Sequence, residues 1–293
     1  MAPTNTLTAL SIAGSDSGGG AGVQADLKAF ARCGVHGMTA ITAITAQSTT
    51  GVTAIHSVPP EIVLAQVRAV IADIRVDAVK VGMLGTATTT LAVARALDEL
   101  PPGTPVVVDP VMVAESGARL LDPDAHVALV EEILPRATVL TPNLPEARAL
   151  ASAPPGSSGK TEAGMPTLAA MPVSKGDTDE EVEAEALARA VLALGPRVVV
   201  LTGGHRARAT DLFLDSPERP AVEIPGERHP DGAAHGSGCT HSSVLAAQLA
   251  LGRTPLQAAR AARAITGDAV AGGLRDLGAG AGPVDVLGLP HMR

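Results

Sequence analysis

Short apolar runs alternate with helix-periodic stretches along almost the whole chain, and no other feature limits the fold as tightly. Leu7 to Ala13 reads as a buried strand that runs into a glycine-rich loop. Val23, Leu27 and Phe30 then recur at helical spacing, and Gly34 supplies a stop. Residues 38–46 and 52–57 are rich in Thr, Ile and Val, as strands are. Val63, Val67, Val70 and Ile71 mark a helix, Val79 to Val81 a strand, and Thr88 to Leu100 another helix. Val106 to Val108 and Thr138 to Leu140 are further strands, with a helix near 123–134 between them. Glu180 to Leu194 reads as a helix and Arg197 to Leu201 as a strand. Asp211 to Leu214 and Ala221 to Ile224 can pair as a hairpin. Helices follow at 239–251 and 255–271, the second capped by Thr254 with Pro255 at its first position. Strand–helix alternation of this kind predicts an α/β fold with a mostly parallel central sheet and helices on both faces. Ligands of such sheets bind beyond the carboxyl ends of the strands. Gly14 to Ser17, Asp109 to Met112 and Thr141 to Asn143 all follow strands directly, so they are expected on one rim.

One stretch breaks the pattern. Residues 152–178 are rich in Pro, Gly and Ser and are expected to form a flexible insertion in an otherwise single domain spanning 1–293. Within it, Gly159-Lys160-Thr161 imitates the end of a phosphate-binding loop. That motif requires Gly five positions before Gly159, where Pro154 stands, and a preceding strand, where a helical run stands. It is rejected.

The stretch from His235 to Ser243 carries the strongest chemical signal. A Gly236-Ser237-Gly238 turn opens directly into the apolar helical run Val244 to Leu251. The first turn of a helix offers backbone N–H groups without intrahelical partners, and its dipole favours negative charge. Small residues let a phosphate approach that backbone. Cys239 stands where the helix end would stabilise a thiolate, so its pKa is expected well below about 8.5. Taken alone, the same turn is a helix-capping glycine beside a buried cysteine.

Composition sets the outer limits. The 293 residues are 46% hydrophobic but contain two Phe, no Trp and no Tyr, so the core must be built from Ala, Val, Leu and Ile. A formal net charge of −8 argues against nucleic acid as a partner, since phosphate backbones select basic surfaces. No run approaches the roughly 18 apolar residues of a membrane span. The N-terminus lacks a secretory pattern, and two Cys give no disulfide framework; a cytoplasmic location is expected.

Several ordered blocks together carry a resemblance. They are Ser11 to Lys28, Ile44 to Thr49, Asp77 to Gly85, Val108 to Val113, Leu140 to Ala147, the Gly-Ser-Gly-Cys turn, and Gly282-Pro283-Val284. In this order they resemble hydroxymethylpyrimidine/phosphomethylpyrimidine kinases, thiamine-pathway members of the ribokinase-like superfamily. The resemblance implies ATP-dependent phosphorylation of 4-amino-5-hydroxymethyl-2-methylpyrimidine and its monophosphate, with ATP and Mg²⁺ as cofactors and a homodimeric assembly. It implies Cys239 in place of the superfamily's usual aspartate base, with the amides of Gly236, Ser237, Gly238 and Cys239 as the anion hole. Asp26 and Gln47 match the pyrimidine-binding pair, and Gly14, Ala21, Thr45, Met83 and Val111 match the pocket walls. Taken alone, Asp26 is a solvated helix carboxylate, Gln47 a surface residue and Met83 core filler.

Asp109 and Glu146 are the candidate magnesium ligands, with Asn143 beside them on the nucleotide side. Asn143 and Glu146, three apart at a helix start, also fit a capping box. Two departures from the family pattern stand out. Thr202 and Gly203 are expected at the nucleotide, but Thr202, before Gly203-Gly204-His205, occupies the position of a nucleotide-contacting Lys, and Pro230 to Ala234 replaces most of the family's polar stretch, leaving only His235. Arg206, Arg208 or Mg²⁺ would have to compensate for the lost cation, while His205 and His235 serve either phosphate or the turns. The departures keep two other readings open: a pyridoxal-type kinase, whose substrate also carries a hydroxymethyl on a six-membered heteroaromatic ring, and a catalytically weak pyrimidine-binding protein.

Overall fold

The first strand, β1 (Thr8–Ala13), has no exposed residue because helices cover the sheet on both sides. Parallel sheets buried in this way are written as continuous apolar runs. In this computed structural model, which describes residues 6–114, 117–152, 177–206, 208–230 and 232–290, β1 lies within an eight-stranded sheet. The expected insertion at 152–178 lies, apart from its ends, outside the described residues.

After β1 come α1 (Gly22–Arg32), β2 (His36–Ile41), β3 (Ala43–Ser48), β4 (Gly51–Ser57) and α2 (Pro60–Ile71). The chain continues through β5 (Ala78–Val81), α3 (Ala87–Asp98), β6 (Val106–Val108), α4 (Pro123–Ala128), β7 (Val139–Leu140) and α5 (Leu144–Ala151). It ends with α6 (Asp177–Leu192), β8 (Val199–Leu201), β9 (Asp211–Leu214), β10 (Val222–Ile224), α7 (Ser237–Ala250) and α8 (Pro255–Ala271).

The sheet order is β10-β9-β8-β7-β6-β5-β1-β2, parallel from β2 to β8, with β9 and β10 antiparallel. The chain steps outward from β1 to β2, then crosses back to place β5 on the other side of β1. That reversal opens a crevice at the carboxyl ends of β1 and β5. Alternate strand residues feed two cores. Leu10, Ile12, Val79 and Val81 face α2 to α6. Ala9, Ala78 and Val107 face α1, α7 and α8. Ser11 and Lys80 are register partners on β1 and β5, and alternation points both toward this second face. With few aromatics, that face is closed by Ala-rich helices, and Phe30 and Phe213 are both buried within it.

Two expected elements are divided. The strand-like run 38–46 breaks at Thr42, whose hydroxyl donates to the Met83 carbonyl at 2.6 Å. The chain thereby leaves the main sheet, and β3 pairs with β4 in a separate two-stranded sheet. The helix expected near 123–134 stops at Ala128 and passes through a π turn (Leu129–Ile133) into a 3₁₀ turn (Leu134–Arg136). Pro135 has no N–H to continue an α-helical ladder. Leu27, expected in the buried stripe of α1, is 37% exposed, whereas Asp26 is fully buried. No helix among the described residues is long and apolar enough to cross a membrane.

Candidate active site

Two glycine turns meet above the crevice. In the first, following β1, Asp16 is 1% exposed and accepts the N–H groups of Gly18, Gly20 and Ala21 at 2.8–3.0 Å. The turn is so tight that a Cβ on Gly22, at φ +57°, would stand 2.4 Å from the Gly14 carbonyl oxygen. The second turn starts α7, with Gly236 as its N-cap at φ +80°, and a Cβ there would lie 1.8 Å from the Gly20 oxygen. Only glycine tolerates both the backbone angle and the approach. His235 Nε2 lies 3.0 Å from Asp16 Oδ2 and ties the two turns together. Burial opposes ionisation of Asp16, but His235 and the turn's N–H groups outweigh it and hold its carboxyl below the usual range.

Below the turns lies a cleft of about 660 Å³. Gly14, Ala21, Gln47, Met83 and Val111 line it together with Asp109, Asn143, Glu146 and Thr202 and with Gly236, Ser237, Gly238 and Cys239. Lys80, Arg228, Arg263, His235 and His241 also border it. The structure thus brings together most of the residues that the sequence selected.

Five expectations are corrected. Asp26 does not face a ligand: it is fully buried, and its carboxylate accepts from Ser11 Oγ (2.6 Å), Ser243 Oγ (2.7 Å) and Lys80 Nζ (2.9 and 3.2 Å). With four hydrogen bonds from these three groups, two to each oxygen, it has no capacity for a pyrimidine. Thr45 is also outside the cleft wall; its hydroxyl donates to the Ser15 carbonyl at 2.8 Å, with Gln47 Oε1 at 3.3 Å, so it steadies Gln47. Gly203 spends its N–H on Asp211 Oδ1 at 2.7 Å. The Ser237 N–H bonds the Ala234 carbonyl at 2.9 Å, which takes it out of the anion hole and leaves the amides of Gly238 and Cys239 in a turn that no side chain caps.

The fifth correction concerns Cys239. Burial, then the nearby charges of Asp109 and Asp26, push its thiol up to about 12, against the pull of Lys80 and of a Gly22 N–H. The helix end does not overcome desolvation beside two carboxylates, so a neutral thiol replaces the expected thiolate.

The capping box is fully formed: Asn143 Oδ1 accepts the Glu146 N–H and Glu146 Oε2 accepts the Asn143 N–H, both at 2.9 Å. Asn143 therefore turns its oxygen into its own helix. Glu146 is pushed up to about 8 by burial and then by the charge of Asp109. Burial also raises Asp109, against Lys80 at 3.9 Å and a 3.0 Å bond from Ser242 Oγ. Two buried carboxyls that resist ionising side by side are a donor set suited to a hard divalent cation. Among the described residues no three His, Cys, Asp or Glu side chains converge to hold a metal unaided. Mg²⁺ fits such a site because it ordinarily keeps water and phosphate among its ligands.

The expected substitutes for the missing Lys at Thr202 are not in the cleft wall. Arg206 is buried and donates to the Thr210 carbonyl at 2.7 Å, and Arg208 pairs with Glu181 at 2.7 Å on the surface. The cleft instead has Arg228 and Arg263 on its border. The side chain of His205 lies outside the described residues. Residue-by-residue reading passed over Asp16, Lys80, Asp211 and Ser242. Lys80 did leave a signal: a lysine centred in the apolar strand Ala78–Val81 has to find a buried carboxylate.

The profile of the family described as phosphomethylpyrimidine kinase matches residues 16–175 and 163–285. A hydroxymethylpyrimidine/phosphomethylpyrimidine kinase of Rhizobium meliloti is 45% identical over 282 residues, 95% of this chain and 96% of that one. Among solved structures, a phosphomethylpyrimidine kinase of Clostridium difficile superposes with TM-score 0.69 at 33% identity, over 88% of this chain and 97% of that one. The pyridoxal kinase of Staphylococcus aureus, in complex with AMP-PCP and pyridoxal, gives 0.77 at 28% identity, over 96% and 93%. The chain has the α/β fold of these kinases and belongs to the hydroxymethylpyrimidine/phosphomethylpyrimidine kinase family.

Proposed function

We propose that this protein transfers a phosphoryl group from ATP to the hydroxymethyl of 4-amino-5-hydroxymethyl-2-methylpyrimidine, and then to its monophosphate, in thiamine biosynthesis. One observation carries the reading. A small wall of Gly14, Ala21, Met83 and Val111 with the Gln47 amide shares a cleft with the uncapped first turn of α7 and with Asp109 and Glu146. The wall suits a flat methylated ring, and the Gln47 amide can both donate to and accept from an aminopyrimidine edge. On this reading the hydroxymethyl lies near Cys239. The amides of Gly238 and Cys239, at the positive end of α7, stabilise the charge on the moving phosphoryl group.

Phosphoryl transfer asks chiefly for positioning and charge neutralisation. The neutral thiol of Cys239 fits that demand: it holds the accepting oxygen without adding a standing negative charge where a polyanion must enter. Asp109 and Glu146 would hold Mg²⁺, which when bound neutralises charge on the nucleotide phosphates. The whole chain is taken as one catalytic domain with an insertion at 152–178, working in the cytoplasm. Exposed Ile44 and Ile55 on the β3–β4 hairpin support assembly as a homodimer.

The pyridoxal kinase reading has its own support in the better superposition on the Staphylococcus aureus enzyme. A coupled ATP assay with hydroxymethylpyrimidine and pyridoxal side by side decides between them. Expected is a kcat/KM for the pyrimidine at least about tenfold above that for pyridoxal, the scale set by one or two pocket contacts. The reverse order would make this a pyridoxal-type kinase. Pyrimidine binding by calorimetry without ATP turnover would make it a binding protein.

A further inference from the structure

Lys80 is fully buried in the middle of the sheet, yet it is one of the residues that line the cleft. The fold alone gives little reason for it. Replacing a buried ion pair by apolar side chains of similar volume is often neutral or stabilising. The surroundings nonetheless reserve space for the ammonium, since a Cβ on Gly82 would stand 2.8 Å from Nζ. Nζ lies 2.9 and 3.2 Å from the two oxygens of Asp26 and 3.9 Å from Asp109 Oδ2. Each of these carboxylates holds one of two consecutive residues of α7: Asp26 accepts from Ser243 at 2.7 Å and Asp109 from Ser242 at 3.0 Å. One cation therefore joins the two anchors of the helix whose first turn carries Cys239. It also stands under a cleft already lined by the carboxyls of Asp16, Asp109, Glu146 and Asp211, into which a triphosphate must pass.

We infer that Lys80 is a positioning residue for phosphoryl transfer. Its fixed charge offsets the Asp26–Asp109 pair beneath the anion-binding turn. It also holds both carboxylates against Ser242 and Ser243, so the start of α7 keeps its place when the polyanion enters. The inference rests on the kinase reading above.

Lys80→Met alone leaves Asp26 buried without a counter-ion and is expected to fold poorly. The deciding protein is the double variant Lys80→Met/Asp26→Asn, which removes both charges and keeps an acceptor for Ser11 and Ser243. Its thermal midpoint should stay within about 5 °C of wild type. KM for ATP and for the pyrimidine should change by less than about threefold, while kcat falls about 10²-fold. Near-equal kcat in the double variant and the wild type would reduce Lys80 to a buried counter-ion and overturn the inference. A double variant that does not fold would do the same by placing the pair's role in the fold. Absence of pyrimidine-dependent turnover in the wild type, run alongside, would instead bring down the kinase reading itself.

Discussion

The two glycine turns above the cleft and the charged floor beneath it hold the same helix, α7, by opposite means. The turns work through backbone shape: Gly22 and Gly236 adopt left-handed angles at +57° and +80°, and each lies where a side chain would strike a carbonyl oxygen. The floor works through side chains: Ser11, Asp26, Lys80, Asp109, Ser242 and Ser243 satisfy one another with little exposure to water. Damage to the turns should therefore appear mainly in turnover. Loss of a floor hydrogen bond should appear mainly in stability.

Gly236→Ala is the most severe test of that contrast. The new methyl group would meet the Gly20 oxygen at 1.8 Å, so the two turns must part. Displacing the anion-binding amides should lower kcat/KM about 10³-fold. The forced left-handed alanine should cost about 1–3 kcal/mol. Steady-state kinetics and guanidinium unfolding on one preparation check both figures. Turnover close to wild type would mean that the phosphoryl group binds somewhere other than this turn.

The next effect is smaller and bears on Cys239, which sits where turn and floor meet. A protonated thiol that only positions the hydroxyl can be replaced by another small donor and acceptor. Cys239→Ser should therefore lose about tenfold in kcat, short of the roughly 10²–10⁴-fold that follows loss of an acid–base group. The titration gives an independent check. With the thiol pushed up to about 12, its thiolate fraction keeps rising through neutral and mildly basic pH. Iodoacetamide labelling in a Cys33→Ser background should climb about tenfold per pH unit from 7 to 10 without a plateau. A plateau below pH 9 would restore the thiolate and the base role expected from the sequence.

The same contrast explains which parts could be read from the sequence. A turn is a local object: Gly-Ser-Gly-Cys before an apolar helix states its conformation within four residues, and the cleft wall follows strand ends that periodicity locates. The mostly parallel sheet with helices on both faces was legible for the same reason, whereas the strand order was not. The floor is built from pairs 15, 54, 133 and 217 residues apart. Nothing near Asp26 announces Lys80. Family resemblance placed Asp26 on the substrate, yet its three donors come from three other elements. Cys239 misled for a related reason: the helix end beside it is visible locally, whereas Asp26 and Asp109, which raise its pKa, come from distant segments. The turn bond from Ser237 to Ala234 and the break at Thr42 were local but depended on a carbonyl position that sequence spacing does not set.

The mildest variant isolates the floor's hydrogen bonds from its charges. Ser243→Ala removes one of the three donors to the Asp26 carboxylate and leaves Lys80, Ser11 and every charge in place. A buried carboxylate short of one donor should cost about 1–3 kcal/mol of stability. The remaining partners still hold Asp26, and Ser242 still ties α7 to Asp109 at 3.0 Å. The helix start should therefore stay in register, with kcat reduced by less than about threefold. Urea unfolding and steady-state kinetics read the two quantities separately. A large loss of kcat at unchanged stability would reverse the contrast, because it would make the Ser243 hydroxyl, rather than the Lys80 charge, the element through which the floor reaches the reaction.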